Sequence, residues 1–446
     1  MVKIKDRTPN QEIMPVSATV VGNELYLGGL PATSLAEKFG TPLWVICQET
    51  IEESAAAIKE GLAKYPGKTA PCYAGKAFLC TAMVKLIEKL GLGLDVVSEG
   101  ELRTALQADF PAEKIYLHGN NKTDAELLLV IDSGANLVVD SKAELLDLIE
   151  LARNKGKLTK VLLRIIPGID VDTHEHIKTG HLTSKFGIPL AEIEEVIALC
   201  LQNKSSIDLH GIHAHLGSQA MELGPFLEAV DIYADLYKSI SEKFGYTMPH
   251  LDVGGGLGIA YTQEDKPISL TEWAQGIAAR VEKCFGARDL PLPVLAVEPG
   301  RSLVGPAGVT LYRVGRTKVL PEGTRYLMVD GGMADNPRPI TYQAAYTAAV
   351  ANRMESREGQ VKDWSIVGRY CESGDIIVNE TRLDAGKGDL IAVFATGAYN
   401  YSQSSNYNRT ARPACILVKD GSAEVILVRE TCQDLLRQDR LPSWLS

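Results

Sequence analysis

From Pro71 onward, short apolar runs rich in Val, Ile and Leu alternate with longer stretches in which apolar residues recur every three or four positions. The first pattern is that of strands buried on both faces and the second that of amphipathic helices, so their alternation predicts βα units on a parallel sheet. Eight strands are predicted, over 72–75, 93–97, 114–118, 136–140, 161–166, 209–215, 250–253 and 294–298. Helical periodicity over 101–108, 124–132, 142–154, 191–201, 226–244 and 270–285 separates them. Eight such units are the count that closes a (β/α)8 barrel.

After Arg301 the pattern changes to strands and turns without long helices, over 308–314, 326–329, 365–367, 389–394, 414–418 and 424–428. This reads as an all-β domain. Two early strand-like runs, 24–27 and 42–47, have no place in the barrel and are assigned to that domain. The expected fold class is therefore α/β, a TIM barrel over 46–299 plus a β-sheet or β-barrel domain from 1–45 and 300–446.

Composition supports two domains, because 446 residues exceed one ordinary core, and 45% hydrophobic with 23% charged residues is a globular balance. A net charge of -10 without any Lys/Arg-rich run argues against a nucleic-acid partner. No apolar run reaches membrane-spanning length and the first residues lack a signal-peptide pattern, so a cytoplasmic protein without a membrane partner is expected. The eight cysteines are scattered with no CxxC pair, which fits reduced thiols.

In a parallel barrel, chemistry gathers where the strands end at their C-terminal side. The first predicted strand ends on Lys76, the second on Asp95 and Ser98, the third on His118-Gly119-Asn120-Asn121, and the fourth on Asp140-Ser141. The fifth carries Arg164, the sixth ends in His213-Ala214-His215-Leu216-Gly217-Ser218-Gln219, the seventh in Gly254-Gly255-Gly256, and the eighth in Glu298-Pro299-Gly300-Arg301. Any one of these could be a strand end reaching water, and Asp140-Ser141 reads mainly as a helix cap. Polar residues at all eight mouths argue for one shared site.

A lysine at a strand end is either solvated, paired, or desolvated into a nucleophile able to form a Schiff base with an aldehyde. The Gly254 to Gly256 run is a plain loop or a place where backbone amides approach a phosphate. His213 and His215 lie two apart on one strand face, which permits a metal pair, a packed core pair, or an imidazole stacked on a flat cofactor ring. No further histidine follows at a spacing that would complete a metal site, so no metal is expected. Thr173-His174-Glu175-His176 reads as a solvated loop. Glu298 can pair with Arg301 or hold a pyridine nitrogen protonated, the electron sink that carbanion chemistry needs.

Taken in order, these motifs resemble the fold-type III pyridoxal-phosphate decarboxylases, and within them the diaminopimelate decarboxylase family. The resemblance runs from Tyr73-Ala74-Gly75-Lys76 through Ser184-Lys185-Phe186-Gly187 and Asp335-Asn336-Pro337-Arg338-Pro339 to Cys371-Glu372-Ser373-Gly374-Asp375, Gly397-Ala398-Tyr399 and Ser405-Asn406-Tyr407-Asn408. Departures are small: Ile166 where the family often has Asn before the Pro, and Gln403 where Met is common.

The resemblance implies pyridoxal 5'-phosphate as cofactor, an amino-acid substrate, and a homodimer with shared active sites. It implies that Lys76 binds the cofactor covalently, His215 stacks on its ring and Glu298 binds the ring nitrogen, with Asp95 and Arg164 nearby. Ser218, Gly254, Gly255, Gly256, Pro299, Gly300, Arg301 and Tyr399 would surround the phosphate. Cys371, as proton donor, and Glu372, on the distal amino group, would come from the partner subunit. Arg301, Arg338, Tyr342 and Tyr399 would contact substrate, with Arg301 unassigned between phosphate and carboxylate. An ornithine- or lysine-type decarboxylase would not need a distal-carboxylate clamp, an alanine-racemase-like enzyme would need a second base, and a non-catalytic regulator would not need Lys76 and Cys371.

Overall fold

The computed structural model describes residues 8–169 and 184–445. The Thr173 to His176 motif lies outside the described residues. Over the described chain there are two compact units, one from Met1–Gln11, Glu52–Ile259 and Lys266–Leu303, the other from Glu12–Ile51, Ala260–Asp265 and Val304–Ser446.

The first unit is a parallel barrel. Its strands are Cys72–Ala74, Gly93–Val96, Ile115–Leu117, Asn136–Val139, Thr159–Ile166, Ile207–His213, His250–Asp252 and Val294–Ala296, each paired with the next in that order. They are called the first to eighth barrel strands below. A two-residue strand, Ile188–Pro189, pairs with the fifth. The first and eighth strands close the ring through a Thr69–Leu295 bridge and through N–H donation from Cys72 to the Val297 carbonyl at 2.8 Å and from Ala74 to the Pro299 carbonyl at 3.4 Å. Positions such as Asn136–Val139 are buried throughout, which is why these strands read as continuous apolar runs rather than alternating ones.

Helices Thr81–Lys89, Glu99–Gln107, Asp124–Ser133, Lys142–Lys155, Leu190–Gln202, Gly224–Phe244 and Leu270–Gly286 follow the first seven strands. The ring is completed by Gln48–Leu62, whose C-terminal part lies on Leu270–Gly286: Thr271 donates to the Ala57 carbonyl at 3.2 Å, and a Cβ at Gly61 would stand 2.5 Å from the Thr271 carbonyl. Thr123 with Glu126 and Ser269 with Glu272 form capping boxes that start two of these helices, each worth about 1 kcal/mol. Each barrel strand ends at or short of its predicted limit, so most of the predicted polar ends are loop residues at the barrel mouth.

In the second unit, Leu43–Cys47 lies between Gly308–Val319, antiparallel to it, and Ala414–Lys419, parallel to it. All five of its residues are buried, as its unbroken apolar pattern requires. Four strands of this unit were not anticipated: Thr19–Val21, Leu30–Pro31, Ala348–Val350, which pairs with Leu390–Phe394, and Ile376–Leu383, which pairs with Lys362–Val367. The run at Glu24–Leu27 is not part of this ladder. It forms a separate three-stranded sheet with Thr19–Val21 and Leu30–Pro31, and joins the unit by packing Leu25 and Leu27 into the core with Val45, Leu311 and Phe394. Among the described residues no helix is long and apolar enough to cross a membrane.

Candidate active site

The mouth and upper interior of the barrel hold a set of buried ionisable groups. Glu298, just beyond the eighth strand, accepts a hydrogen bond from His213 Nε2 at 3.1 Å, while His118 Nε2 stands 3.1 Å from its other oxygen. His118 also lies 3.7 Å from Asp95. The two imidazoles meet edge to face, 4.8 Å between centroids. Asp252, fully buried at the end of the seventh strand, accepts from the Gly254 N–H at 2.9 Å.

This arrangement sorts the protons. Burial alone would push Glu298 up, but His213 and His118 hold it well below the ordinary carboxylate range. Burial followed by the charge of Glu298 raises Asp252 far above that range and pushes Asp95 up to about 7. Burial opposes a proton on His118, yet Glu298 and Asp95 together lift it to about 9, while burial drops His213 to about 4. Glu298 thus carries the negative charge, shared between an imidazolium and a neutral imidazole donor. The Arg301 guanidinium donates twice to Ser218 Oγ, at 2.8 and 3.2 Å.

His118 gains its partners on folding, so its folded value exceeds the ordinary 6.5. The resulting stabilisation is complete below pH 6.5 and is lost as pH rises through about 9. Denaturant titrations between about pH 7 and 10 are expected to show a falling unfolding free energy whose slope flattens in His118→Gln. An unchanged slope in that variant would remove His118 from the network.

Lys76 sits in the 3-10 turn Gly75–Ala77 after the first strand, and its side chain is exposed. Of the readings open for this lysine, its exposure fits the solvated one: the strand stops at Ala74 and Lys76 lies beyond the buried stretch. Its charge is nonetheless felt by Asp95 and His215. His215 is half-buried; surrounding protein, then Lys76 and Arg164, keep it neutral, and its Nδ1 accepts from the Gly255 N–H at 3.4 Å. Arg164 is buried over the Phe186 ring at 4.5 Å and lies 4.0 Å from Asp140, whose Oδ1 also accepts from the Gly187 N–H. Ser141 caps the helix that follows, as its residue type suggested.

The glycine run has a packing reason. A Cβ at Gly254, Gly255 or Gly256 would fall within 2.2 Å of the Ala214, Glu298 or Gly217 carbonyl respectively, so no side chain fits between the sixth and eighth strand ends. Two of its amides are engaged by Asp252 and His215. Gly300 is also closely packed, its Cβ position 3.0 Å from the Ala74 Cβ.

The second unit carries the remaining predicted residues. Arg338 opens the short helix Arg338–Tyr342, one turn before Tyr342. It is 5% exposed, its guanidinium lies 4.8 Å over Tyr261 and 5.7 Å from the Tyr346 ring, and it donates to the Tyr346 hydroxyl at 2.8 Å. Among the described residues no carboxylate pairs with it. Burial works against its charge, and the phenols of Tyr261 and Tyr346 outweigh that. Tyr342 accepts from Gln403 at 3.1 Å. Tyr399 holds a left-handed backbone, φ 62°, in a turn whose Gly397 leaves no room for a Cβ beside the Val304 carbonyl. Cys371 and Glu372 are exposed.

His118, His213, Asp252, Tyr261 and Tyr346 were not singled out as site residues. His118 and His213 were legible as strand-end histidines, whereas nothing in the sequence pairs Tyr261 with Arg338.

The barrel residues fit pyridoxal 5'-phosphate. Glu298 Oε1 is buried with His118 Nε2 at 3.1 Å but unaligned as a donor, and both oxygens of Asp95 are buried without one, so buried carboxylate acceptors are present for a protonated ring nitrogen. An amine, a neutral imidazole and an arginine–serine pair surround it at the same mouth.

Comparison with known proteins agrees. The family described as pyridoxal-dependent decarboxylase, pyridoxal binding domain, matches residues 48–305. The diaminopimelate decarboxylase of Synechocystis sp. is 45% identical over 98% of this chain and 95% of its own, and that of Bacillus subtilis 43% over 93% and 95%. The solved diaminopimelate decarboxylase from M. jannaschii in complex with L-lysine has a TM-score of 0.91 at 32% identity, covering 98% of this chain and all of its own. With its motifs in order along nearly the whole chain, this protein belongs to the diaminopimelate decarboxylase family of pyridoxal-dependent decarboxylases.

Proposed function

We infer that this protein decarboxylates meso-2,6-diaminopimelate to L-lysine and CO2, the last step of lysine biosynthesis. The observation that carries the reading is Arg338, a buried cation between two phenol rings with no carboxylate partner among the described residues. An unpaired buried charge is costly unless a ligand completes it, and a distal carboxylate does so. A substrate ending in a bare ammonium, such as ornithine, would be repelled there.

Pyridoxal 5'-phosphate, when bound, supplies the electron sink for the pair left as CO2 departs. Lys76 would hold it covalently, and the ionised Glu298 would accept from its ring nitrogen, with Asp252 keeping its proton and Asp95 raised to about 7, so that Glu298 is not opposed by two full further charges. His215, held neutral, would cover the ring face, and Arg164 would lie beside it. Ser218, Arg301, the Gly254 to Gly256 run, Pro299, Gly300 and Tyr399 would serve the phosphate. Arg338 and Tyr342 would hold the distal carboxylate. Cys371 and Glu372 of a second copy would deliver a proton to the carbon that lost CO2 and receive the distal ammonium, in a cytoplasmic homodimer.

Release of CO2 should be rapid from meso-diaminopimelate and negligible from ornithine, lysine and arginine. Comparable turnover of ornithine would overturn the assignment. The purified protein should also carry a visible absorption band that borohydride bleaches, with the reduced adduct mapping to Lys76.

A further inference from the structure

Cys371 is exposed, yet its backbone is fixed on every side. Its N–H donates to Asn408 Oδ1 at 2.9 Å and its carbonyl accepts from the Tyr407 hydroxyl at 3.3 Å. The neighbouring Tyr370 is held twice: its N–H donates to Asp375 at 2.8 Å, and its hydroxyl to Asp335 Oδ1 at 3.3 Å. Asp335 is 1% exposed and also accepts from the Tyr312 hydroxyl at 2.5 Å and the Gly332 N–H at 3.0 Å. Asp375 ties the same segment through Met333 N–H at 2.6 Å. Closeness is built in, since a Cβ at Gly332 or Gly368 would stand 2.4 or 2.2 Å from the Asp375 carboxylate.

Tyr312 belongs to the strand Gly308–Val319, and Asp335 lies three residues before Arg338. One buried carboxylate therefore joins a rigid strand, the segment entering the arginine helix, and the residue before Cys371. We propose that Asp335 is a positioning residue that, through Tyr370, sets the Cys371 thiol for proton delivery. The proposal rests on the reading of Cys371 as proton donor. Three donors converging on an almost fully buried carboxylate fix it in one orientation, and the loop inherits that rigidity. Misplacement of a reacting group by about 1 Å costs up to about 100-fold in rate, so the effect should fall on turnover rather than binding.

The test uses Tyr370→Phe, which removes only the 3.3 Å bond, together with Asp335→Asn. Both are made in a Cys432→Ser background, so that Cys371 is the sole exposed thiol. Expected are a kcat lower by about 10-fold for Tyr370→Phe and about 100-fold for Asp335→Asn, with KM and cofactor content unchanged. Amide exchange over 370–375 and alkylation of Cys371 by iodoacetamide should both quicken. If Cys371→Ala is slow while both variants keep parental kcat, exchange and alkylation, the positioning role is wrong and the donor reading stands. If Cys371→Ala turns over normally, the donor reading falls, and with it any catalytic role for Asp335, whatever the exchange shows. Should Asp335→Asn fail to fold, Tyr370→Phe alone decides.

Discussion

Lys76→Ala and Cys371→Ala, each nearly inactive alone, are expected to recover about a quarter of wild-type activity when mixed at equal amounts and allowed to exchange subunits. The expectation follows from pairing statistics in a two-fold dimer whose sites draw on both chains. Half the dimers become hybrids, and in each hybrid one site carries both lesions and the other carries neither. Cys371 suits such a role, being one of the two exposed cysteines and presented on a loop clamped by Asp335 and Asp375. Activity that stays at background after mass spectrometry has confirmed hybrids would place both residues' work within one chain.

Arg338→Ala should lower kcat/KM for diaminopimelate by about 2–5 kcal/mol, the cost of removing one partner of a buried charge pair, while cofactor content is unchanged. The loss should be confined to substrates with a distal carboxylate, because Tyr261 and Tyr346 can repack over an alanine without exposing a charge. Their rings already meet edge to face at 5.1 Å. Wild-type kinetics in the variant would take the distal carboxylate away from Arg338 and reopen the diamine-forming reading.

The barrel was legible because a parallel strand buried on both faces writes itself as an unbroken apolar run, and because each mouth ends on a polar residue. The strand at Leu43–Cys47 was legible for the same reason, and its place in the second unit followed from having no barrel neighbour. For Glu24–Leu27, alternating burial reports one covered face and not which strand pairs with it, so its separate three-stranded sheet was not legible. Ile376–Leu383 escaped notice because its middle, Asn379 to Arg382, is polar.

Site residues divided in a similar way. Those on the strand mouths could be read from position, but the charge on Glu298 depends on His118 and His213 arriving from two other strands, a three-dimensional fact without a sequence period. Arg338 was expected to clamp a carboxylate; that its own surroundings are phenols required the fold to bring Tyr261 to it.

The closure of the barrel has a mechanical side. Four backbone bonds join the first and eighth strands, from Leu295 to Lys68, Ala70 to Leu295, Cys72 to Val297 and Ala74 to Pro299; the first three measure 2.8–2.9 Å and the last, at the mouth, 3.4 Å. In a hoop fastened this way the seam is weakest at its mouth end. Lys76 hangs two residues past Ala74 on one side of the gap, and Glu298 stands next to Pro299 on the other. A ligand gripped by both would act as a clasp, so loading the cofactor would tighten the hoop as well as equip it, and the empty barrel would be weakest where its chemistry is to be installed.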